Sequence, residues 1–120
     1  MGFRTNMINR NAAGYLQRGE EIERVAVVRA GQGGTNYAVA ATPRNVYVFE
    51  LGGGGFTKVE EVLTRIPIGK AVVERHKGSI MSVGRRGRER PDHFFNTLPG
   101  GSPRRLEAYV AERNGSAGGG

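Results

Sequence analysis

The residues best suited to bind a ligand form a short arginine-rich run in the second half of the chain. Within GRRGRERP, Arg85, Arg86, Arg88 and Arg90 surround a single acid, Glu89. Arginine offers a planar fork of donors to oxyanions, so the four are candidate anion-binding residues for nucleic acid or an anionic membrane surface. The alternative is a solvated loop, because 15 of the 18 basic residues of the chain are arginine, as a general composition bias would produce.

Residue types that could perform catalysis are present but are not arranged for it. Ser79 and Ser82 lie near His76 in sequence, yet neither serine sits in the G-x-S-x-G pattern that exposes a nucleophile. His76 and His93 are the only histidines, they lack metal-ligand spacing, and the chain has no cysteine. The sequence therefore predicts a protein that is not an enzyme, with no catalytic residues, cofactor, metal site or small-molecule substrate.

Length and charge limit the class of protein. A chain of 120 residues makes one ordinary domain with its own core. The net charge of +7 favours acidic or polyanionic partners without defining a site. No apolar run is long enough to cross a bilayer, and the N-terminal stretch lacks the apolar core of a signal peptide. The prediction is a soluble, basic protein of the cytoplasm.

The hydrophobic pattern predicts a mainly β protein. Apolar residues at helical spacing favour a short N-terminal helix, and β-branched runs between turn residues favour about seven antiparallel strands. Pro43 and Asn45 in TPRN mark a tight turn between the second and third strands, and the glycines at 52–55 mark an open, flexible hairpin tip. The predicted elements are a helix within 7–16, strands at 22–29, 35–42, 46–51, 63–68, 70–77, 79–84 and 92–98, and a helix at 103–113.

Two of these segments carry extra signals. Residues 59–62 suit either a strand or a helix, while TRIPI at 64–68 contains a proline and suits an edge strand. The last helix is the clearest element, because Ser102 is a suitable N-cap and Pro103 fits the first helical position. An apolar stripe on that helix must be buried against another apolar surface, for which the mouth of a barrel is the natural candidate. It consists of Leu106, Tyr109 and Val110.

The aromatic side chains are predicted to fill the core. The chain has only nine of them and no tryptophan, so they are needed inside. The alternative is that exposed aromatics near the arginines stack nucleic-acid bases. Tyr47, Phe49 and Leu51 share one face of the third predicted strand. The other aromatics concerned are Tyr37, Phe94, Phe95 and Tyr109.

Both ends of the chain have little to bury. Residues 1–6 are predicted to be a flexible N-terminus, and residues 114–120, with the sequence NGSAGGG, a disordered glycine-rich tail. The sequence between them shows no repeat and no linker. Residues 7–113 are therefore predicted to form a single domain.

This layout resembles the pleckstrin-homology (PH) fold, a small β-barrel or sandwich of about seven antiparallel strands with a C-terminal helix. Three stretches are similar to the bacterial PH-like families: LQRGEEIERVAVV, AATPRNVYVFE and RIPIGKAVVER, in that order. Together they show a Gly-Glu entry, a T-x-R-x-hydrophobic turn and an I-P-hydrophobic strand. The resemblance covers most of residues 16–113.

The resemblance implies a non-catalytic module for protein interaction or self-association, of unassigned function. Eukaryotic relatives that bind phosphoinositides carry several basic residues around the loop between the first two strands, where this chain has only Arg29 beside AGQGGT. Candidate edges for self-association are TRIPI and DHFFNTL, residues 92–98. The alternative function is a polyanion-binding module that uses the four arginines at 85–90.

Overall fold

A computed structural model of the chain describes residues 3–30, 34–52 and 58–117, with side chains from residue 7 to residue 114 within those ranges. Each predicted strand is present, and residues 59–62, which suited either a strand or a helix, are extended. Short 3-10 turns lie at Ala13–Tyr15 and Ile68–Lys70. The helices and strands are α1 Phe3–Ala12, β1 Arg24–Arg29, β2 Asn36–Ala41, β3 Asn45–Gly52, β4 Lys58–Pro67, β5 Ala71–His76, β6 Ile80–Arg85, β7 His93–Thr97 and α2 Ser102–Ala117.

The strands form one antiparallel sheet in the order β4-β3-β2-β1-β7-β6-β5. The junction between β1 and β7 is narrow, because only Val28 with Thr97 and Arg29 with Asn96 pair across it. The sheet turns back on itself there. It thus divides into a first half-sheet, β1 to β4, and a second half-sheet, β5 to β7. With α2 closing one side, this arrangement is a compact PH-like fold and confirms the predicted mainly β class.

The interior core lies between the half-sheets. Alternate residues of the strands point into it, as the two-residue period of a strand requires. Leu106 and Val110 of α2 complete it, so the predicted apolar stripe is confirmed. The strand side chains of this core are Ala26, Val28, Val39, Ala41, Val46, Val48, Ile66, Ala71, Val73, Met81, Val83 and Phe95.

A second core covers the outer face of the first half-sheet. Tyr47 and Phe49 of β3 point away from the interior, yet both are fully buried, with their rings stacked 5.3 Å apart. Ile8 and Ala12 of α1 pack on this face, which explains the helical spacing of apolar residues near the N-terminus. The first half-sheet is therefore buried on both faces. The other members of this core are Ile22, Val25, Val27, Ala38, Ala40, Leu51 and Val59.

Glu20 ties the segment before β1 to the turn between β2 and β3. Its carboxylate accepts hydrogen bonds from the Thr42 hydroxyl at 2.5 Å and from the Asn45 side-chain amide at 2.8 Å. The Tyr47 hydroxyl donates to the other carboxylate oxygen. The predicted TPRN turn is confirmed, since the Thr42 N–H donates to the Asn45 carbonyl at 2.9 Å.

These hydrogen bonds change the pKa values of Glu20 and Tyr47. Burial acts to raise the pKa of the Glu20 carboxyl, but the hydrogen bonds that it accepts outweigh burial and leave the pKa below its usual value. Burial, together with the hydrogen bond to Glu20, raises the pKa of Tyr47 to about 12. The ionised carboxylate is thus the form that the folded protein stabilises.

The free edges of the sheet are β4 and β5. TRIPI lies at the end of β4, so its prediction as an edge is confirmed. The prediction that DHFFNTL is an edge is wrong, because β7 pairs with β6 on one side and with β1 on the other. Pro91 and Pro99 flank this strand but lie outside its paired residues, so they remove no hydrogen bond from the ladder.

Side chains of α2 cover part of the β5 edge. Glu107 accepts a hydrogen bond from the Arg75 N–H at 2.9 Å and binds the Arg75 side chain at the same distance. The side-chain amide of Asn114 donates to the Ala71 carbonyl. These groups occupy backbone positions that another strand would otherwise use, which is a common protection against edge-to-edge association.

The chain ends differ from the expectations in one respect. The α1 helix begins at Phe3, inside the stretch predicted to be flexible, and α2 continues to Ala117, inside the predicted disordered tail. Residues 118–120 and the hairpin tip at 53–55 lie outside the described residues.

No helix in the described ranges combines the length and apolar character needed to span a membrane. The cytoplasmic location stays a prediction.

We expect Glu20→Gln to lower the free energy of unfolding by about 1–3 kcal/mol near neutral pH, because the hydrogen bonds to a charged group are weakened or lost. Folding lowers the pKa of Glu20, so its contribution is full above the ordinary value of 4.5 and is lost as the pH falls through the folded value. Urea unfolding at a series of pH values measures the difference. Glu21→Gln, at an exposed neighbour, is the control. A Glu20 effect that stays constant into acid would contradict this account.

We expect the double variant Glu107→Ala, Asn114→Ala to self-associate more than the parent chain, because it uncovers backbone groups on the β5 edge. Sedimentation velocity over a concentration series measures the association, and far-UV circular dichroism confirms folding. Glu112→Ala removes an exposed acid from the same helix and serves as the control. A folded double variant that remains as monodisperse as the control would show that these side chains do not protect the edge.

Candidate binding face on the second half-sheet

The outer face of the second half-sheet is the candidate functional surface. Glu74 pairs with Ser82, and Ser82 with Phe94, so these three side chains lie side by side on this face. The described helices pack elsewhere: α1 lies on the first half-sheet, and α2 lies along β5 and β1. Phe94 is consequently 59% exposed, more than Tyr15 or any other large apolar side chain in the described part of the chain.

The four predicted arginines lie at the end of β6 and in the segment that joins it to β7; Arg88 lies against the outer face, whereas Arg86 contacts Asn114 of α2. We call residues 85–92 the arginine loop. Asp92 interacts with two of the arginines: its carboxylate lies 3.7 Å from the Arg85 Nε and 3.3 Å from the Arg88 Nη1. Within GRRGRERP the sequence shows only Glu89 as an acid, and Asp92 follows directly after this stretch. Four arginines against two acids leave the loop a formal charge of +2.

The remaining arginines of the loop are more available to a partner. Arg86 donates to the side-chain carbonyl of Asn114 at 3.1 Å, in a solvent-exposed position. Arg90 is exposed and makes no ion pair with a described residue. Arg88 keeps 60% of its side chain exposed even though it pairs with Asp92. The structure therefore brings the four together on one loop, with Arg86, Arg88 and Arg90 facing solvent.

Backbone contacts hold the loop against the sheet. Gly87 has a φ of 86°, a left-handed conformation that glycine adopts without strain. The Asp92 N–H donates to the Val83 carbonyl at 2.9 Å, which returns the chain to the sheet. Pro91 packs directly over Gly84: a Cβ atom added to Gly84 would lie 2.8 Å from the Pro91 Cα. The lack of a side chain at Gly84 thus lets the loop lie flat on the outer face of the second half-sheet.

A groove of about 270 Å³ lies between the loop and the sheet. Arg88 and Pro91 line it on the loop side, and Val72 and Phe94 line it on the sheet side. It is smaller than the roughly 300–1,000 Å³ of ordinary small-molecule pockets. The groove can therefore receive a single side chain more readily than a cofactor.

The structure does bring one predicted serine next to a histidine. The His76 Nε2 and the Ser82 Oγ lie 2.8 Å apart, at the floor of this groove, whereas Ser79 lies in the preceding turn. Ser82 is only 1% exposed. Its strand pairs on both sides, so the backbone N–H groups near it are already hydrogen-bonded within the sheet. A nucleophile needs access and unpaired N–H donors for an oxyanion. The contact is better explained as the hydrogen bond that satisfies a buried hydroxyl.

The prediction that the aromatics fill the core holds for Tyr47, Phe49 and Phe95, which are buried, but is wrong for Phe94. Phe94 and Phe95 are adjacent in a strand, so their side chains must point to opposite faces. Phe95 takes the interior position and stacks on His93 with the ring centroids 5.4 Å apart. The doublet in the sequence was the signal that one ring would face outward.

The chain matches no protein-family model and no curated protein. Among solved structures it is similar to the hSac2 domain from human phosphoinositide phosphatase Sac2, with a TM-score of 0.49 and 11% identity, over 98% of this chain and 85% of that one. At so low an identity and TM-score, the similarity carries no argument about function. None of these comparisons supports the predicted bacterial affiliation.

We expect Gly84→Ala to lower the free energy of unfolding by about 1–3 kcal/mol, because the new methyl group forces the loop away from the sheet. Amide NMR shifts at residues 84–91 should move along with the loss of stability. Gly14→Ala is the matched control, since a Cβ atom there meets nothing within 4 Å. Equal stability of the two variants would show that the Pro91 contact does not position the loop.

Proposed function

We propose that the chain is a non-catalytic PH-like binding module that mediates protein interaction through the outer face of its second half-sheet. The observation that carries this proposal is the exposure of Phe94 on a sheet face that the described helices leave uncovered. Exposed aromatic rings with charged residues at the rim are typical of protein interfaces, in which aromatic and arginine side chains are enriched. The arginine loop supplies that rim.

The geometry of the face favours binding over catalysis. Among the described residues on this face, the contact between Ser82 and His76 leaves the serine hydroxyl buried, and the groove lies just below the roughly 300–1,000 Å³ of ordinary small-molecule pockets. The loop is held in place by backbone contacts, so a partner would meet a surface that is already formed. Preformed surfaces bind with a smaller entropic penalty than flexible ones.

A polyanion-binding module is the second candidate, and one observation favours it. Arg86, Arg88 and Arg90 are exposed on the same loop and can reach phosphates of nucleic acid or of an anionic membrane surface. Binding of this kind would fall steeply with salt, because each phosphate contact releases counterions. Against it, Asp92 and Glu89 lie in the same loop and repel phosphate.

Site-specific photocrosslinking tests the proposal. We expect a photoreactive phenylalanine analogue at position 94 to give discrete protein adducts in a lysate of the source organism, because a partner would cover this ring. The same analogue at position 63, where Leu63 is 38% exposed on the first half-sheet, should give none or a different set. Identical adducts at both positions, or none at position 94, would reject the proposed surface.

The same samples separate the remaining alternatives. An adduct of twice the mass of the chain would indicate self-association rather than a different partner. Titration of the parent chain with mixed-sequence DNA or anionic vesicles should cause weak effects. A tight, salt-sensitive interaction that the triple variant Arg86→Gln, Arg88→Gln, Arg90→Gln abolishes would favour the polyanion function instead.

A further inference from the structure

We infer that the occupant of this face is an acidic segment of another protein, which places one apolar side chain on Phe94 and its carboxylates on the arginine loop. This inference rests on the proposed function and goes one step further, because it names the chemistry of the partner. It follows from three features: the size of the groove, the charge beside it, and the net charge of the whole chain.

The first feature is an anchor for one apolar side chain. The ring of Phe94 stands beside the groove of about 270 Å³, and the half-buried Val72 lies at the other side. The His76 ring lies 6.2 Å from the Phe94 ring and extends the same surface. A leucine or aromatic side chain of a partner would remove apolar area from water here, which favours association.

The second feature is the distribution of charge around this anchor. On the loop side, Arg88 lines the groove and Arg90 lies two residues further along. The acids that face the same surface are Glu74 on β5 and Glu89 on the loop. Asp92 is engaged with Arg85 and Arg88. Acidic side chains of a partner therefore find the exposed Arg88 guanidinium beside the groove and the exposed Arg90 close to it in sequence, and this charge complementarity would orient the segment.

The third feature argues against a second copy of the chain as the occupant. A symmetric dimer through this face would bury the same patch of both copies, with an arginine loop of formal charge +2 on each side of the interface. Each chain also carries a net charge of +7, which adds repulsion between the two copies. An acidic partner avoids both sources of repulsion. The positive charge of the chain would also accelerate its association.

Nucleic acid fits the face less well than an acidic protein segment does. Phosphate groups repeat along a strand and need a continuous cationic track. Here two of the four arginines share one carboxylate, and Glu89 lines the groove itself. A protein segment can place its few carboxylates beside Arg88 and Arg90 and leave the acidic positions of the face to neutral side chains.

Titration of the labelled chain with three synthetic peptides, followed by amide NMR, tests the inference. The first is a glutamate-rich peptide with one central leucine; the second replaces that leucine with serine; the third replaces the glutamates with lysine. We expect the first to shift residues 82–94 and to bind about tenfold more tightly than the second, a typical difference for a buried apolar anchor. The third should cause no localised shift.

Variants of the chain locate the contacts. Phe94→Ser should reduce the affinity for the first peptide about tenfold and abolish its preference over the second. The pair Arg88→Gln, Arg90→Gln should weaken binding mainly at low salt, as expected for charges at the rim of an interface. Leu63→Ser and Arg10→Gln change an exposed apolar and an exposed basic residue on the other half of the molecule and should have no effect.

Several outcomes would overturn the inference. Equal binding of the first two peptides, binding of the lysine peptide, or silence of all three would each contradict it. So would tighter binding of a thymidine 12-mer, or lines that broaden with protein concentration alone. A silent titration combined with a specific photocrosslink at position 94 would reject the acidic partner and leave the proposed function intact. A silent titration without any photocrosslink at position 94 would reject both the acidic partner and the proposed function.

Discussion

The structure depends on the burial of both faces of the first half-sheet. In β3, Val46 and Val48 point into the interior, while Tyr47 and Phe49 point outward, and all four are fully buried. Apolar area on two faces requires a layer on each side. The second half-sheet and α2 supply one layer, and α1 with the segment that follows it, including Leu16 and Ile22, supplies the other.

This requirement determines where a partner can bind. The α1 helix covers the outer face of the first half-sheet and is linked to the segment before β1 by a hydrogen bond of 3.0 Å from the Ile22 N–H to the Asn9 side chain. Glu20 then fixes that segment to the β2–β3 turn through Thr42 and Asn45. The outer face of the second half-sheet receives no such layer from the described helices and keeps Phe94 exposed.

Much of this fold could be predicted from local sequence patterns. The TPRN turn, the apolar stripe on α2 and the succession of strands all follow from short-range spacing, and the structure contains them. The pattern also placed Tyr47, Phe49 and Leu51 on one face, but it could not tell which face was the interior, since the neighbouring residues are equally apolar. The position of β7 between β1 and β6 depends on long-range pairing with β1, which no local pattern reveals.

The candidate site was predictable only in part, for the same reason. The arginines were visible as a cluster, and the structure keeps them on one loop. The interaction of Asp92 with Arg85 and Arg88 depends on how the loop closes, and the packing of Pro91 over Gly84 depends on tertiary contact. The exposure of Phe94 arises because none of the described helices packs on that face, which is a tertiary feature, so the sequence alone indicated only that Phe94 and Phe95 point in opposite directions.

Hydroxyl-radical footprinting tests the central claim most directly, because it reports the solvent exposure of individual side chains. The oxidation rates of Phe94 and Leu63 would be compared in the isolated protein and in a lysate of its source organism. The account predicts that Phe94 becomes protected in the lysate while Leu63 does not, since a partner covers the second half-sheet. Unchanged oxidation of Phe94, or selective protection of Leu63, would contradict it.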